Sequence, residues 1–507
     1  MCGILFSLDS NGEKHFFNLS HRGPNSSTLK KFNYRTHQVT LGFHRLSITG
    51  VQNGEQPFFT DGVYLVCNGE IYNHKELKKK HNVETSTDSD CEVILALYLK
   101  HDKSIFNHLR GEYAFILLDI RKGVVIYGRD TCGVRPLFIS DVGFSLASEL
   151  KGLPSKRGSQ VIPGFIYTYD MLEKTTTSTR NKFIYTNRSI KYHLIESIKI
   201  RLESEVPIGF LLSGGFDSSI ILSIASRLLP LDKRIEVFTV GFSEDAPDVV
   251  WARKVIAYLE GVHGKRYNHH VVIHTIEDGL AAIPEVIKCT ETYDTTTIRA
   301  STPMWLASKY IKENTNVKVV ISGEGSDEAN GSYKYFLLAP NLSEFNSERN
   351  RLINDIYLFD GLRADRTISA HGLELRVPFL DDTVVQSLLQ EDLVYSDMKK
   401  TGIEKQYIRD QFVGWLSDEI LWRSKEAFSD AVSFSWKDCI KARAASMPLP
   451  VSKYAYLNPS TSEERWYRSI FEELYPGNEP IPYLWMPRWV DTKGEPSATV
   501  LSVYKKG

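Results

Sequence analysis

The run Leu211-Leu212-Ser213-Gly214-Gly215-Phe216-Asp217-Ser218-Ser219 constrains the fold more than any other stretch of the chain. It joins an apolar segment, Val206 to Leu212, to a segment from Ser218 to Leu229 in which Ile220, Ile221, Ile224, Ala225 and Leu228 share one helical side. Another apolar run follows at Ile235 to Phe242. Strand, glycine-rich turn, helix and strand in that order make a βαβ unit, and such a unit requires a parallel sheet. A third strand, Val317 to Ile321, ends in a similar turn, Ser322-Gly323-Glu324-Gly325-Ser326-Asp327-Glu328. At the carboxyl ends of neighbouring parallel strands both turns face one crevice.

The side chains of the first turn narrow what that crevice holds. Two glycines let the backbone approach an anion, and the amides of the helix start, with the hydroxyls of Ser213, Ser218 and Ser219, can cradle a phosphate. Asp217 would repel phosphate oxygens unless a cation lay between, so Mg²⁺ is expected, with Asp217 and Asp327 as its ligands. The motif is not G-x-x-x-x-G-K-[ST], which disfavours simple γ-phosphoryl transfer. The competing reading is a plain strand-to-helix turn capped by Asp217, and for the second turn a solvated acidic loop.

Ahead of this unit, about 165 residues alternate short apolar runs with turns: Val39 to Phe43, Val63 to Cys67, Ala114 to Leu118 and Val124 to Tyr127 read as strands. Ser89 to Lys100 has helical spacing and would cover them. The polar, threonine-rich stretch from Asp170 to Ile190 reads as a connector, giving domains at 2–170 and 190–507 with 171–189 between. Beyond Ser343 the pattern is mostly helical. Lysine plus arginine number 61 against 62 for aspartate plus glutamate, so the net charge of −1 leaves no electrostatic footprint for nucleic acid or an anionic membrane. No apolar run approaches the ~18 residues of a membrane helix, and Ile4-Leu5-Phe6 is too short for a signal-peptide core. A cytoplasmic protein with six free thiols is expected, because the cysteines are scattered and form no C-x-x-C. Lys75 to Lys80 reads as a solvated helix face, and His269-His270 as structural.

Cys2 follows Met1 directly. Removal of Met1 would place a free α-amine, with a pKa of roughly 7.7–8.0, on the carbon that carries the thiol. Such an amine can accept the thiol proton, and the thiolate is the competent nucleophile. Polar clusters downstream suit an amino-acid substrate. Arg45 can hold an α-carboxylate bidentately and Asp90 an α-ammonium. Asn68 and Gly69 could donate to an oxyanion, although Asn-Gly is also a common hairpin signal and Arg45 could be a surface ion pair.

Taken jointly, Met1-Cys2-Gly3-Ile4, His21-Arg22-Gly23-Pro24, His44-Arg45-Leu46, Asn68 to Asn73, Gly128 to Leu137 and the Ser213 to Ser219 turn resemble glutamine-hydrolysing asparagine synthetase, a class II glutamine amidotransferase family. The resemblance runs nearly end to end through Glu291 to Asp294, Arg363 to Arg366, His371 to Asp381 and Lys425 to Phe428. It implies an N-terminal αββα sandwich followed by a parallel-sheet ATP-pyrophosphatase-type domain. It implies Cys2 as nucleophile, with Arg45, Leu46, Ile48, Asn68, Gly69, Glu70 and Asp90 around glutamine. ATP would meet Leu212, Val240, Ser322 and Gly323 and seat its phosphates on Ser213, Gly214, Gly215, Asp217, Ser218 and Ser219. Glu324, Thr296, Arg299 and Lys425 would serve an acyl-adenylate, and the implied substrates are glutamine, aspartate and Mg-ATP. A homodimer is one expected assembly. A β-lactam synthetase shares the architecture but typically lacks the N-terminal nucleophile. Other class II amidotransferases lack the Ser-Gly-Gly-x-Asp-Ser turn, and a non-catalytic nucleotide-binding regulator would have no use for every chemical position being filled. Three departures stand out: Asn25 where the family has Asp, Phe216 where it has Leu, and a short inter-domain segment.

Overall fold

A computed structural model describes residues 1–9, 11–181, 186–424, 432–433, 435–449 and 453–492. The first domain is two stacked antiparallel sheets. One runs β10 (Gly158–Gln160), β8 (Phe138–Ser140), β9 (Ser145–Ala147), β1 (Gly3–Ser7), β3 (His37–Arg45), β2 (Ser26–Tyr34). The other runs β12 (Thr175–Arg180), β11 (Phe165–Asp170), β7 (Val124–Arg129), β6 (Gly111–Asp119), β5 (Val63–Ile71), β4 (Phe58–Thr60).

Along β5, Tyr64 and Val66 point between the sheets to Ile4, Phe6, Leu41 and Phe43. Leu65 and Cys67 point the other way, onto Leu77 of α1 (His74–His81) and Val93, Ile94 and Leu97 of α2 (Glu92–His101). Both faces are buried, so the strand reads as an unbroken apolar run rather than as an alternation. On the outer face of the first sheet, Leu5, Phe16, Leu19 and Leu150 pack against Ile283, Val286 and Tyr293 of the second domain. That outer layer is therefore short 3₁₀ turns at Phe16–Leu19 and Leu150–Gly152, backed by helices from the other half of the chain.

The connector begins later than the composition suggests. Thr175 to Arg180 pairs antiparallel with β11, Phe165 opposite Arg180, as the edge strand β12. All six of its side chains are exposed, so its polarity imitates a linker while its β-branched threonines suit a strand.

The second domain is built on a five-stranded parallel sheet ordered β15 (Tyr267–Ile273), β14 (Ile235–Gly241), β13 (Ile208–Leu211), β16 (Val319–Ile321), β17 (Glu374–Arg376). The chain steps outward from β13 in one direction and then returns to add β16 and β17 on its other side. The strand order thus reverses between β13 and β16, where open parallel sheets form their ligand crevice. Helices α3 (Ile190–Arg201), α4 (Phe216–Leu228), α5 (Pro247–His263), α6 (Ile276–Thr290), α7 (Thr295–Asn314) and α8 (Ser326–Asn330) surround the sheet, and further helices follow. On β15, His269 meets the Thr239 hydroxyl at 2.9 Å and His270 meets Glu236 at 2.8 Å, so both are structural.

Buried ion pairs join the domains. Arg22 pairs with Glu149 (2.6 Å) and Asp365 (2.9 Å), Arg366 with Glu149 (2.8 Å) and Glu291 (3.0 Å), and Arg201 with Glu112 (2.8 Å) and Asp381 (3.0 Å). Burial alone would raise the Asp381 carboxyl, but Arg110 and Arg201 hold it well below the usual range. Glu149 is likewise buried and is held down by Lys151, Arg366, His21 and Arg22. Among the described residues no helix is long and apolar enough to cross a membrane.

Candidate active sites

Cys2 stands immediately before β1, half-buried, with its backbone N–H donating to Asn68 Oδ1 at 2.8 Å. Its sulfur accepts from Leu46 N–H at 3.4 Å. Because Asn68 Oδ1 is taken by Cys2, the amide nitrogen Nδ2 turns away, and it is buried with no hydrogen-bond partner. An orphaned donor beside a thiol is costly unless a ligand oxygen completes it. The neighbouring Gly69 lies where β5 presses on β6: a Cβ there would come within 2.1 Å of Glu112 O.

Met1 is present and buried. Its amine donates to Leu373 O of the second domain at 3.1 Å, and its side chain packs in that domain's core. Burial pushes this amine down to about 5 and the Cys2 thiol up to about 11, the latter offset in part by the nearby amine. With Met1 attached, Cys2 contributes a peptide N–H instead of a base, and the thiol stays protonated near neutral pH.

Arg45, Asp90 and Glu70, expected to meet glutamine, are each engaged by other groups. Arg45 is buried, its Nη1 on Glu55 at 2.9 Å and its Nη2 on Gly50 O at 2.6 Å. The Glu55 carboxylate, half-exposed, thus occupies the guanidinium as a substrate carboxylate would. Asp90 accepts from Ile71 N–H at 2.5 Å, and Glu70 accepts from the Thr49 hydroxyl at 3.0 Å. Burial raises both carboxyls, and for Glu70 the charges of Asp90 and Glu374 add to that, only partly offset by Arg376. Two buried carboxyls held above their usual range favour a cationic ligand. Leu46 and Ile48 pack with Val319, with Cys2, Val206 and Ile208 at the edge of the cluster. Asn25, the departure from the family pattern, accepts from Ser47 N–H at 3.0 Å through Oδ1.

The second site lies at the reversal of strand order. Gly214 has φ +71°, and a Cβ there would come within 2.5 Å of the Trp251 and Ala252 backbone. Ser213 and Ser218 hydroxyls lie 3.2 Å apart, and Ser213 Oγ accepts from Gly215 N–H at 3.3 Å, shaping a loop that leads into α4. Ser219 Oγ is buried without a partner. Across the crevice Gly323 approaches Asp217 so closely that a Cβ would lie 3.0 Å from the Asp217 Cβ. Leu212 and Val240 supply a buried apolar wall, and Ser322 N–H is spent on Arg376 O.

Asp217 and Asp327, the two residues expected to hold a metal, converge on one point. The point between them is filled by the Lys405 ammonium, 2.5 Å from Asp217 Oδ2 and 2.6 Å from Asp327 Oδ1. Two carboxylates aimed at one cationic centre are a donor set that fits Mg²⁺. Glu324 meets Arg363 at 2.6 Å, and Arg363 also meets Asp360 at 2.8 Å. Burial raises the Glu324 carboxyl, with Arg363 opposing and Asp360 assisting.

Two candidate residues are differently engaged. The Thr296 hydroxyl donates to Asp294 Oδ2 at 2.7 Å within the cap of α7. Arg299 grips Glu463 with two bonds, at 2.8 and 2.6 Å. Lys425 lies outside the described residues.

A glutamine amidotransferase domain family matches residues 1–188, and the asparagine synthase family matches residues 189–355 and 338–490. The chain belongs to the glutamine-hydrolysing asparagine synthetase family. It is 39% identical over 559 residues to a probable asparagine synthetase of Acanthamoeba polyphaga mimivirus, covering 99% of this chain and 100% of the relative. The asparagine synthetases of Rattus norvegicus and Homo sapiens are 38% and 36% identical over 571 and 570 residues, each covering 100% of this chain and 99% of the relative. These spans exceed the 507 residues of the chain, so the relatives carry segments that this asparagine synthetase family member lacks.

Glu55, Lys405, Arg363, Glu463 and the Met1 pocket were not legible as site components. Lys405, Glu463 and the Met1 pocket meet their partners from distant parts of the chain, whereas Glu55 lies ten residues from Arg45 and Arg363 pairs both with nearby Asp360 and with Glu324. For Lys405 one signal existed: two aspartates assigned to one cation leave a buried negative pair that some positive group must balance before the metal binds.

Proposed function

We propose that the protein makes L-asparagine from L-aspartate and L-glutamine, consuming ATP and releasing L-glutamate, AMP and pyrophosphate. Family membership supports the overall reaction. The observation that supports the coupled chemistry is the apolar cluster of Leu46, Ile48 and Val319, against which both Cys2 and Ile208 of β13 pack. Strand β13 is four residues long, about 13 Å, and its far end opens into the phosphate-binding turn.

The chemistry follows from this chain's own groups. Loss of Met1 frees the Cys2 amine, which takes the thiol proton as sulfur attacks the glutamine side-chain amide. The oxyanion is held by Asn68 Nδ2 and the Gly69 N–H. The Cys2 ammonium returns its proton to the nitrogen as the C–N bond breaks, ammonia leaves, and water hydrolyses the thioester to glutamate. Arg45 exchanges Glu55 for the substrate α-carboxylate, while Asp90 and Glu70 take the α-ammonium and ionise against it. In the second site the Ser213 to Ser219 turn seats the β- and γ-phosphates, and Leu212, Val240, Ser322 and Gly323 contact the nucleoside. The aspartate β-carboxylate attacks the α-phosphorus, pyrophosphate departs, and β-aspartyl-AMP forms. Asp217 and Asp327 would hold Mg²⁺, which would supply neutralisation of charge on the leaving pyrophosphate. Ammonia that has crossed an apolar passage arrives unprotonated and attacks the acyl carbon as Glu324 accepts its proton; the acyl carbon–oxygen bond breaks and AMP departs with its electron pair. Lys425 offsets charge at the α-phosphate, and Thr296 and Arg299 contact the adenylate after leaving Asp294 and Glu463.

Product analysis tests this reading. AMP and pyrophosphate in a one-to-one ratio with asparagine are expected; ADP and inorganic phosphate would contradict it.

A further inference from the structure

Lys405 is a lysine in a place that suits lysine poorly. Its backbone is left-handed, φ +62°, at the start of the helix Gln406–Asp410, and its side chain is 1% exposed. A non-glycine residue held there is strained and persists when surrounding structure over-determines it. What holds it is on both sides: Glu404 O accepts from Arg409 Nε at 2.9 Å, and the Arg409 guanidinium lies 5.1 Å from the Phe216 ring, in the turn that carries Asp217. The strained segment is thereby clamped to the phosphate-binding turn, and its ammonium is delivered between two carboxylates.

Resting on the nucleotide reading above, we infer that Lys405 is an intramolecular competitor for the metal position, and that it makes cation entry conditional on the polyphosphate. A divalent cation and the ammonium cannot share the gap between Asp217 Oδ2 and Asp327 Oδ1. If the metal entered alone it would leave a buried ammonium without a counter-charge, which is strongly unfavourable. A pyrophosphate group seated on the adjoining turn supplies that counter-charge. Metal and polyphosphate therefore enter together, and the free protein keeps its carboxylates paired and its crevice closed to cations alone.

Electron paramagnetic resonance of Mn²⁺ tests this without turnover. The parent protein is titrated with Mn²⁺ alone and with Mn²⁺ plus pyrophosphate, alongside Lys405→Met, Lys405→Gln, Lys405→Arg and Asp217→Asn. Mn²⁺ alone is expected to bind weakly to the parent and to Lys405→Arg, and at least about tenfold more tightly to Lys405→Met and Lys405→Gln. Asp217→Asn is expected to bind poorly throughout. Should Lys405→Met fail to fold, Lys405→Gln, which retains a hydrogen-bond donor, carries the same prediction. Neutral variants that bind Mn²⁺ alone no better than the parent would overturn the competition while leaving the nucleotide site intact. Loss of the Mn²⁺ and pyrophosphate signal in the parent, with no effect of Asp217→Asn, would overturn the nucleotide reading as well.

Discussion

The glutamine pocket and the seam between the domains both bury carboxylates, and they treat them in opposite ways. At the seam, Asp381 and Glu149 are held below the usual carboxylate range because arginines surround them: Arg110 and Arg201 for the first, Arg366 and Arg22 with Lys151 for the second. In the pocket, Asp90 and Glu70 are held above it. Among the described residues no lysine or arginine pairs with Asp90, and Glu70 has Arg376 only at 3.6 Å. Burial is similar in the two places; the number of cations differs. A buried carboxylate with its full complement of guanidinium holds structure together, and one left short is waiting for a ligand.

Removing a seam charge should have the largest effect. Asp381→Asn leaves Arg110 and Arg201 facing a neutral amide and is expected to destabilise the fold by about 3–5 kcal/mol, read from the denaturant midpoint. The acid limb sharpens this. Asp381 and Glu149 are depressed in the folded state, so their stabilisation is complete above the unfolded carboxylate values of roughly 4 and is lost as pH falls below them. Asp381→Asn should flatten the stability profile below about pH 4; an unchanged acid limb would mean the seam charges are not what joins the domains.

Next in size is Asn68→Ala, which removes the orphaned donor. Glutamine hydrolysis should slow by about 10²–10³ in kcat with little change in glutamine affinity, as expected for a bond made in the transition state. Asp90→Asn should break the symmetry of the comparison most directly. It relieves a buried charge, so the fold should gain stability, about 1 kcal/mol, while the KM for glutamine rises about tenfold to a hundredfold. A loss of stability instead would place Asp90 with the seam residues. Asn25→Asp should be smallest, within about threefold in KM, because the carboxylate can accept the Ser47 N–H as the amide does.

The sequence carried the chemistry further than the packing. Cys2, the Asn68-Gly69 pair and the Ser213 to Ser219 turn could be singled out because the chemistry expected of them depends on local order: a thiol next to an amine, a donor next to a glycine, a loop at a helix start. Four of the first domain's twelve described strands, β3, β5, β6 and β7, and the βαβ unit were readable because apolar runs mark buried strands. Strand β12 was missed because an edge strand exposed on both faces has no apolar period, and β17 because three residues ending in a buried Arg376 do not resemble a strand. The engaged states of Arg299 and Lys405 depend on Glu463 and the Asp217–Asp327 pair, and charge pairing across such separations leaves no mark in local sequence.

The most direct measurement compares asparagine yield from glutamine and from ammonium in the parent, processed to expose Cys2, and in Cys2→Ala. The two-centre account predicts that the substitution abolishes glutamine-driven synthesis and leaves ammonium-driven synthesis, with its AMP and pyrophosphate, near the parent level. Equal loss with both nitrogen donors would contradict it.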